Sequence, residues 1–258
     1  MADYKEIIRG ELKRKWRNLH SFVRDDDDED EQQRLVSLCN EILHYSAEIG
    51  DLKKIKLLID QIQNTLGIEI DVNETINGYG QTPLMIASGN GHADIVGFLL
   101  QNGANVNAVN RSRETALIHI AQNSIIDKDV QLTIVEQLIR AGSTINAQEE
   151  YGKTALILAT ESNSPKTVRK LLENGADISI KDNNEDTALD IAISNKMTEI
   201  EIIITEYQNE PKTSAKKMGG TKKRKKNKRR KNNKSKMRKT YNMTNATQSP
   251  RTSTTSPI

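Results

Sequence analysis

Apolar residues along this chain fall into short helical stripes, broken by polar turns at regular intervals. The clearest unit is residues 77–109. A polar turn leads to Thr82, placed as an N-cap, and Pro83, placed at the first helical position where its missing N–H costs nothing. Leu84, Ala87 and Ser88 then form an inward face whose small residues admit a close neighbour. Gly91 permits a tight turn. Ile95, Val96, Leu99 and Leu100 make the stripe of a second helix, and Gly103 is placed as its left-handed terminator. The pattern predicts two antiparallel helices followed by a loop that returns as an extended finger.

The unit recurs. Thr-x-Leu stands at Thr82, Thr115, Thr154 and Thr187, with steps of 33, 39 and 33 residues, and the terminating glycine at Gly103, Gly142 and Gly175, with steps of 39 and 33. Such a unit cannot bury both its faces alone, so neighbours must stack. Residues 32–76 read as a divergent first copy: helical spacing, a turn at Gly50, a second helix, and Asp71-Val72-Asn73 echoing Asn105-Val106-Asn107. A longer connection is expected over residues 60–70. End copies are expected to be atypical because one face meets water.

These residues resemble the ankyrin repeat. Thr82-Pro-Leu-Met-Ile-Ala87, Gly91-His92, Val96, Leu99-Leu100 and Gly103-Ala-Asn105 carry the likeness, and Thr154-Ala-Leu, Ala159, Val168, Leu171-Leu172 and Gly175-Ala-Asp177 repeat it. The resemblance implies an all-α ankyrin-repeat solenoid of stacked helix-turn-helix units with β-hairpin fingers over residues 32–208. The expected repeats are 32–76, 77–109, 110–148, 149–181 and 182–208, the last a C-terminal cap. The family's His after Thr-Pro-Leu is replaced by Met85, Ile118, Ile157 and Asp190, and the finger glycine becomes Arg113 and Glu185 in two copies. These changes are expected to remove cap hydrogen bonds and turn glycines, and to leave modest stability. The 39-residue step places an insertion at residues 123–129, expected to lengthen the first helix or bulge the turn, either as drift or as an added contact surface.

Charge divides the chain. Of 38 Lys and Arg, 17 lie from Pro211 onward, where Asp and Glu are absent; the remaining 21 face all 35 acidic residues, so residues 1–210 carry about −14. Residues 1–24 read as an amphipathic helix with Ile8, Leu12, Trp16, Leu19 and Val23 on one face, docked on the first repeat in preference to a membrane surface or partner. Residues 25–31 are consecutive carboxylates and read as a solvated linker; they lack the ligand spacing of a calcium loop. Residues 209–258 have no apolar periodicity and are expected to be disordered.

Aromatics are 3% of the chain, so the core must be aliphatic, and a lone cysteine, Cys39, leaves no internal disulfide or cysteine-based zinc site. Cys39 lies in an apolar helical pattern and reads as core, not nucleophile. The N-terminus lacks the apolar core of a secretory signal, and no apolar run approaches the roughly 20 residues that span a bilayer. The Asn-x-Thr triplets at Asn73, Asn242 and Asn245 therefore carry no glycosylation reading. No phosphate loop, metal-spaced His pair or nucleophile elbow occurs; His20, His44, His92 and His119 are scattered, with His92 structural at the Gly-His turn.

The expectation is a non-enzymatic module without cofactors, monomeric and intracellular, nuclear or cytoplasmic, that binds a protein of unknown identity. The family resemblance puts the contact surface on the concave side, at Tyr79 and Gln81; Arg111, Ser112 and Glu114; Glu150, Tyr151 and Lys153; Asn183 and Asn184. Tyr79 and Tyr151 read as anchors, against the alternative that each packs on a neighbouring finger. Lys222, Lys223, Arg224 and Lys225 match a short nuclear-import signal, Lys226 extends the basic run, and a second cluster stands at Lys228, Arg229, Arg230 and Lys231. The same charge suits nucleic-acid phosphates, which gives the alternative function, and lipid less well. A plain solubilising tail is the bland reading, and Ser249-Pro250 and Ser256-Pro257 offer phosphorylation sites that would lower its charge.

Overall fold

A computed structural model describes residues 29–62, 70–75 and 77–209. The helix expected over 3–24, the start of the acidic run, the centre of the 60–70 connection and the basic residues after 210 lie outside the described residues.

Ten α-helices are described: α1 (Glu29–Ile49), α2 (Leu52–Lys56), α3 (Pro83–Gly89), α4 (Ala93–Gln101), α5 (Ala116–Ala121), α6 (Lys128–Arg140), α7 (Ala155–Glu161), α8 (Pro165–Glu173), α9 (Ala188–Ser194) and α10 (Thr198–Asn209). Helix α2 continues as a π-helical turn over Leu57–Ile62. The first helices of each pair pack in one row, α1 on α3, α3 on α5, α5 on α7 and α7 on α9. The second helices pack in an outer row, α4 on α6, α6 on α8 and α8 on α10. One continuous aliphatic core runs between the rows, with Leu84, Leu117, Leu156, Leu99, Leu138 and Leu171 buried.

Each first helix starts the same way. Thr82, Thr115, Thr154 and Thr187 are extended N-caps whose hydroxyls accept the N–H three residues on. The replacement of the family's His does not remove these caps. Met85, Ile118 and Ile157 keep the bond to Thr and bury their side chains in the core. Asp190 closes a reciprocal capping box, accepting the Thr187 N–H at 2.9 Å. Nor is the finger turn lost where glycine is. Gly80 and Gly152 have φ of +71° and +77°, and Arg113 and Glu185 adopt +63° and +67° in the same role. The shape survives, with backbone strain at two non-glycine residues.

Of the two outcomes expected for the insertion, the structure shows the bulged turn and not a longer first helix. Helix α5 is only 6 residues, the turn bulges over residues 122–127, and it is the second helix, α6, that reaches 13 residues against 9 in α4 and α8. Asp127 caps α6 by accepting from Asp129 and Val130, which is why the helix begins there. Buried Gln131 donates to the carbonyls of Ile120 (2.9 Å) and Asn123 (3.0 Å), satisfying the backbone that the bulge frees. The linker expected over 25–31 is shorter at its end, since α1 is helical from Glu29.

Neighbouring repeats are tied by a repeated asparagine. Asn73 accepts the Asn105 N–H (2.7 Å) and donates to the Gly103 carbonyl (3.4 Å). Asn107 does the same to Thr144 (2.7 Å) and Gly142 (3.1 Å), and Asn146 to Asp177 (2.9 Å) and Gly175 (3.3 Å). Gly103, Gly142 and Gly175 therefore each present their loop to the amide of the preceding repeat.

Candidate functional site

Three of the fingers are built by side chains that accept two backbone N–H groups each, and in the fourth Glu149 accepts the Lys153 N–H alone (2.9 Å). Asn77 holds Tyr79 and Gln81; Asn110 holds Ser112 and Glu114; Asp182 holds Asn184 and Asp186. Gln148 and Thr154 add an isolated antiparallel bridge at the base of one finger. The fingers then bond to one another. Arg111 N–H donates to the Tyr79 carbonyl (3.1 Å), Glu150 N–H to Ser112 (3.0 Å) and Asn183 N–H to Tyr151 (2.9 Å). This fixes a row of equivalent positions, Tyr79, Ser112, Tyr151 and Asn184. Tyr79 is 73% exposed and Tyr151 62% exposed, so neither ring is packed away against the adjoining finger.

The positions singled out in the sequence divide into two groups. Arg111, Glu150, Asn183 and Asn184 are exposed beside the tyrosines, while Ser112 is half-buried between them. Gln81, Glu114 and Lys153 are held within the chain. Lys153 Nζ lies 2.6 Å from Glu161. Glu114 receives three donors: His119 Nε2 (3.2 Å), Asn110 Nδ2 (2.6 Å) and Gln122 Nε2 (3.3 Å). The hydrogen bond from His119, opposed by burial and assisted by Asn110, holds the Glu114 carboxyl down at about 2. Gln81 completes the cluster, accepting from Asn77 Nδ2 (2.9 Å) with its amide nitrogen 3.5 Å from His119. The amide nitrogens near His119 Nε2 cannot share the proton that this atom gives to Glu114, so Glu114 is the partner that matters.

A groove of about 560 Å³ opens between this finger row and the first helices. One wall is α1, with His44, Tyr45 and Glu48; the other carries Tyr79, Gln81 and His119. The α1 residues were not legible as site residues, because the first repeat lacks the Thr-x-Leu start that registers the others. His44 Nε2 lies 2.7 Å from the Glu74 carbonyl and so bears the proton, while burial pulls the ring's pKa down. Its Nδ1 has no partner among the described residues. His92 is structural, as expected: its Nε2 reaches the Glu48 carbonyl at 3.1 Å.

The chemistry available is recognition. Among the described residues no group of His, Cys, Asp or Glu is arranged to hold a metal ion. Burial pushes the Cys39 thiol up to about 11, which keeps it protonated and unreactive at neutral pH. Among the described residues no helix is long and apolar enough to cross a membrane. The nine basic residues singled out between 222 and 231 lie outside the described residues.

Comparison with known proteins matches the fold. The chain is 30% identical over 159 residues to the B-cell lymphoma 3 protein homolog of Mus musculus, covering 61% of this chain and 33% of that protein. It is 33% identical over 172 residues to the putative ankyrin repeat protein FPV031 of fowlpox virus, covering 62% of this chain and 47% of that one. It is 29% identical over 149 residues to the human transient receptor potential cation channel subfamily A member 1, covering 56% of this chain and 12% of the channel. The chain thus spans a half or less of the length of these relatives. The family model for ankyrin repeats, in 3 copies, matches residues 28–110 and 126–214. With the Thr-capped helix pairs, left-handed glycines and bonded fingers in place, the chain belongs to the ankyrin-repeat family.

Proposed function

We propose that the chain is a non-enzymatic protein-binding module that holds its partner across the finger row and the groove beneath it. The observation that carries this reading is the pair Tyr79 and Tyr151, two exposed rings at equivalent positions on fingers tied together by backbone hydrogen bonds. Rigid aromatic anchors lose little entropy on binding and dominate interface energetics. Arg111, Glu150, Asn183 and Asn184 supply polar contacts around them, with Ser112 between. Gln81, Glu114 and Lys153 act by keeping the wall in shape. The module works as a monomer inside the cell, in the nucleus or cytoplasm, and needs no cofactor.

The charge of the region after Pro211, 17 basic residues and no acidic ones, supports a second role, in targeting. Lys222–Lys226 and Lys228–Lys231 are the residues proposed for it. The same charge favours an alternative in which this region contacts nucleic-acid phosphates and the repeats recruit or regulate. Deleting residues 212–258 separates the two. Retention of co-purifying proteins with a changed location supports the binding module. Loss of every interaction, reproduced by nuclease treatment of the intact chain, supports the alternative.

A further inference from the structure

Asn-Gly pairs stand at Asn77, Asn90, Asn102 and Asn174. Asparagine before glycine is the pair most open to succinimide formation, because no side chain beside the glycine nitrogen hinders its attack on the asparagine Cγ. The fold sorts these pairs. Asn90, Asn102 and Asn174 are the C-caps of α3, α4 and α8, and each Nδ2 donates to the carbonyl four residues back. The nitrogens of Gly91, Gly103 and Gly175 are committed in turn, to the carbonyls of Ser88, Leu100 and Leu172. These glycines hold φ of +80°, +92° and +92°, so their turns need glycine.

Asn77 is placed differently. Its finger is the first of the row, preceded by α1 and by no other finger among the described residues. Arg111, Glu150 and Asn183 give their N–H to the finger before. Gly78, at the equivalent position, has no such finger to bond, and its N–H is unpaired among the described residues. Nor does the turn require glycine there. Gly78 has no positive φ, and a Cβ on it would meet nothing within 4 Å. The other fingers carry the side chains of Arg111, Glu150 and Asn183 at its place.

The Asn77 Oδ1 accepts the N–H groups of Tyr79 (3.2 Å) and Gln81 (3.0 Å). Those two donors polarise Cγ and stabilise the negative charge that forms on the oxygen when a nucleophile adds there. We infer that Asn77 is a deamidation site, with the Gly78 nitrogen as its nucleophile. That nitrogen loses its proton to solvent base and bonds to Asn77 Cγ; the Cγ–Nδ2 bond breaks as Nδ2 takes up a proton and leaves as ammonia. Water then opens the five-membered succinimide at one of its carbonyl carbons, leaving aspartate or isoaspartate at position 77. Isoaspartate carries an extra methylene in the main chain, which shifts the acceptor away from the Tyr79 and Gln81 amides and frees the finger. Asn110 has the same two-donor frame, from Ser112 and Glu114, but is followed by Arg111, whose N–H is held by the Tyr79 carbonyl at 3.1 Å. It is the internal control.

The test incubates the full chain at mildly alkaline pH, digests samples with pepsin in acid, and follows each asparagine by tandem mass spectrometry. Asn77 is expected to convert at least about tenfold faster than Asn90, Asn102, Asn174 or Asn110. Gly78→Ala, for which the finger has open space, is expected to slow Asn77 by at least about tenfold. In concentrated guanidinium chloride the Asn-Gly pairs are expected to convert at similar rates, since the fold is what distinguishes them. Conversion of Asn77 no faster than of the C-cap asparagines, indifference to Gly78→Ala, or persistence of the folded-state order in guanidinium overturns the inference. The readouts involve no partner, so the site stands or falls apart from the protein-binding reading.

Discussion

The side-chain amide of Asn107 donates to the carbonyl of Gly142 at 3.1 Å, one repeat further along the chain. Its oxygen accepts the N–H of Thr144 at 2.7 Å, so one residue bonds both sides of a left-handed glycine turn. Asn107→Ala loses both bonds. Because the site is exposed, water replaces part of them, and the expected cost is about 1 kcal/mol. Asn107→Asp keeps the acceptor but sets a carboxylate oxygen against the Gly142 carbonyl, and should cost at least as much. Urea midpoints with an unchanged m-value check both.

Gln131 closes a different gap. It is fully buried in α6, donates to the carbonyls of Ile120 and Asn123, and accepts from the Thr167 hydroxyl at 3.3 Å. Gln131→Leu fills similar volume yet strands those carbonyls and the hydroxyl. The expected loss is about 2–3 kcal/mol, read from equilibrium denaturation.

Arg113 holds φ at +63° where the equivalent residues Gly80 and Gly152 are free to do so. Arg113→Gly removes that strain and should raise stability by about 1 kcal/mol, or roughly 2–4 °C in melting temperature for a domain of this size. An unchanged or lower melting temperature would show that the Arg113 side chain contributes more than its backbone costs.

Glu114 ties stability to pH. Its carboxyl is held at about 2 in the fold against 4.5 in an unperturbed chain. A depressed folded-state value means that the unfolded chain takes up the proton first as pH falls. The contribution is fully present above about 4.5 and is lost between there and about 2. Allowing for solvent screening it amounts to about 1 kcal/mol. Glu114→Gln should flatten the stability–pH curve across that window relative to the unsubstituted chain. Parallel curves would mean that His119, Asn110 and Gln122 do not bias its titration.

Much of the fold was legible because its signals are local. Thr82, Pro83, Gly91 and Gly103 each impose a backbone geometry within a few residues, and the aliphatic stripes between them have helical spacing. The repeated Asp71-Val72-Asn73 echo pointed to a shared finger, but the Asn ladder itself joins residues some thirty apart and shows only when repeats stack. Arg113 and Glu185 looked like lost turns because sequence identity says nothing of φ, while the side chains of Asn110 and Asp182, by bonding the backbone on either side, hold them in the glycine conformation. The insertion at residues 123–129 was visible in the 39-residue step, yet its effect on α6 depends on Asp127 capping and on Gln131 reaching back, both tertiary matters. On the site, finger positions could be aligned through the Thr-x-Leu register. Glu48, Tyr45 and His44 could not, because the first repeat lacks that register, and the engagement of Glu114 with His119 joins a finger to a helix that periodicity alone does not bring together.

The most direct measurement of the central claim is photo-crosslinking from position 112, between Tyr79 and Tyr151, in the full chain inside cells. It compares the unsubstituted chain with the Tyr79→Ala/Tyr151→Ala variant. The expected result is one crosslinked protein, reduced at least about tenfold in the double variant while its circular dichroism and melting temperature stay unchanged, since truncating two interface anchors costs well over about 1 kcal/mol each. An undiminished crosslink from a correctly folded double variant would contradict it.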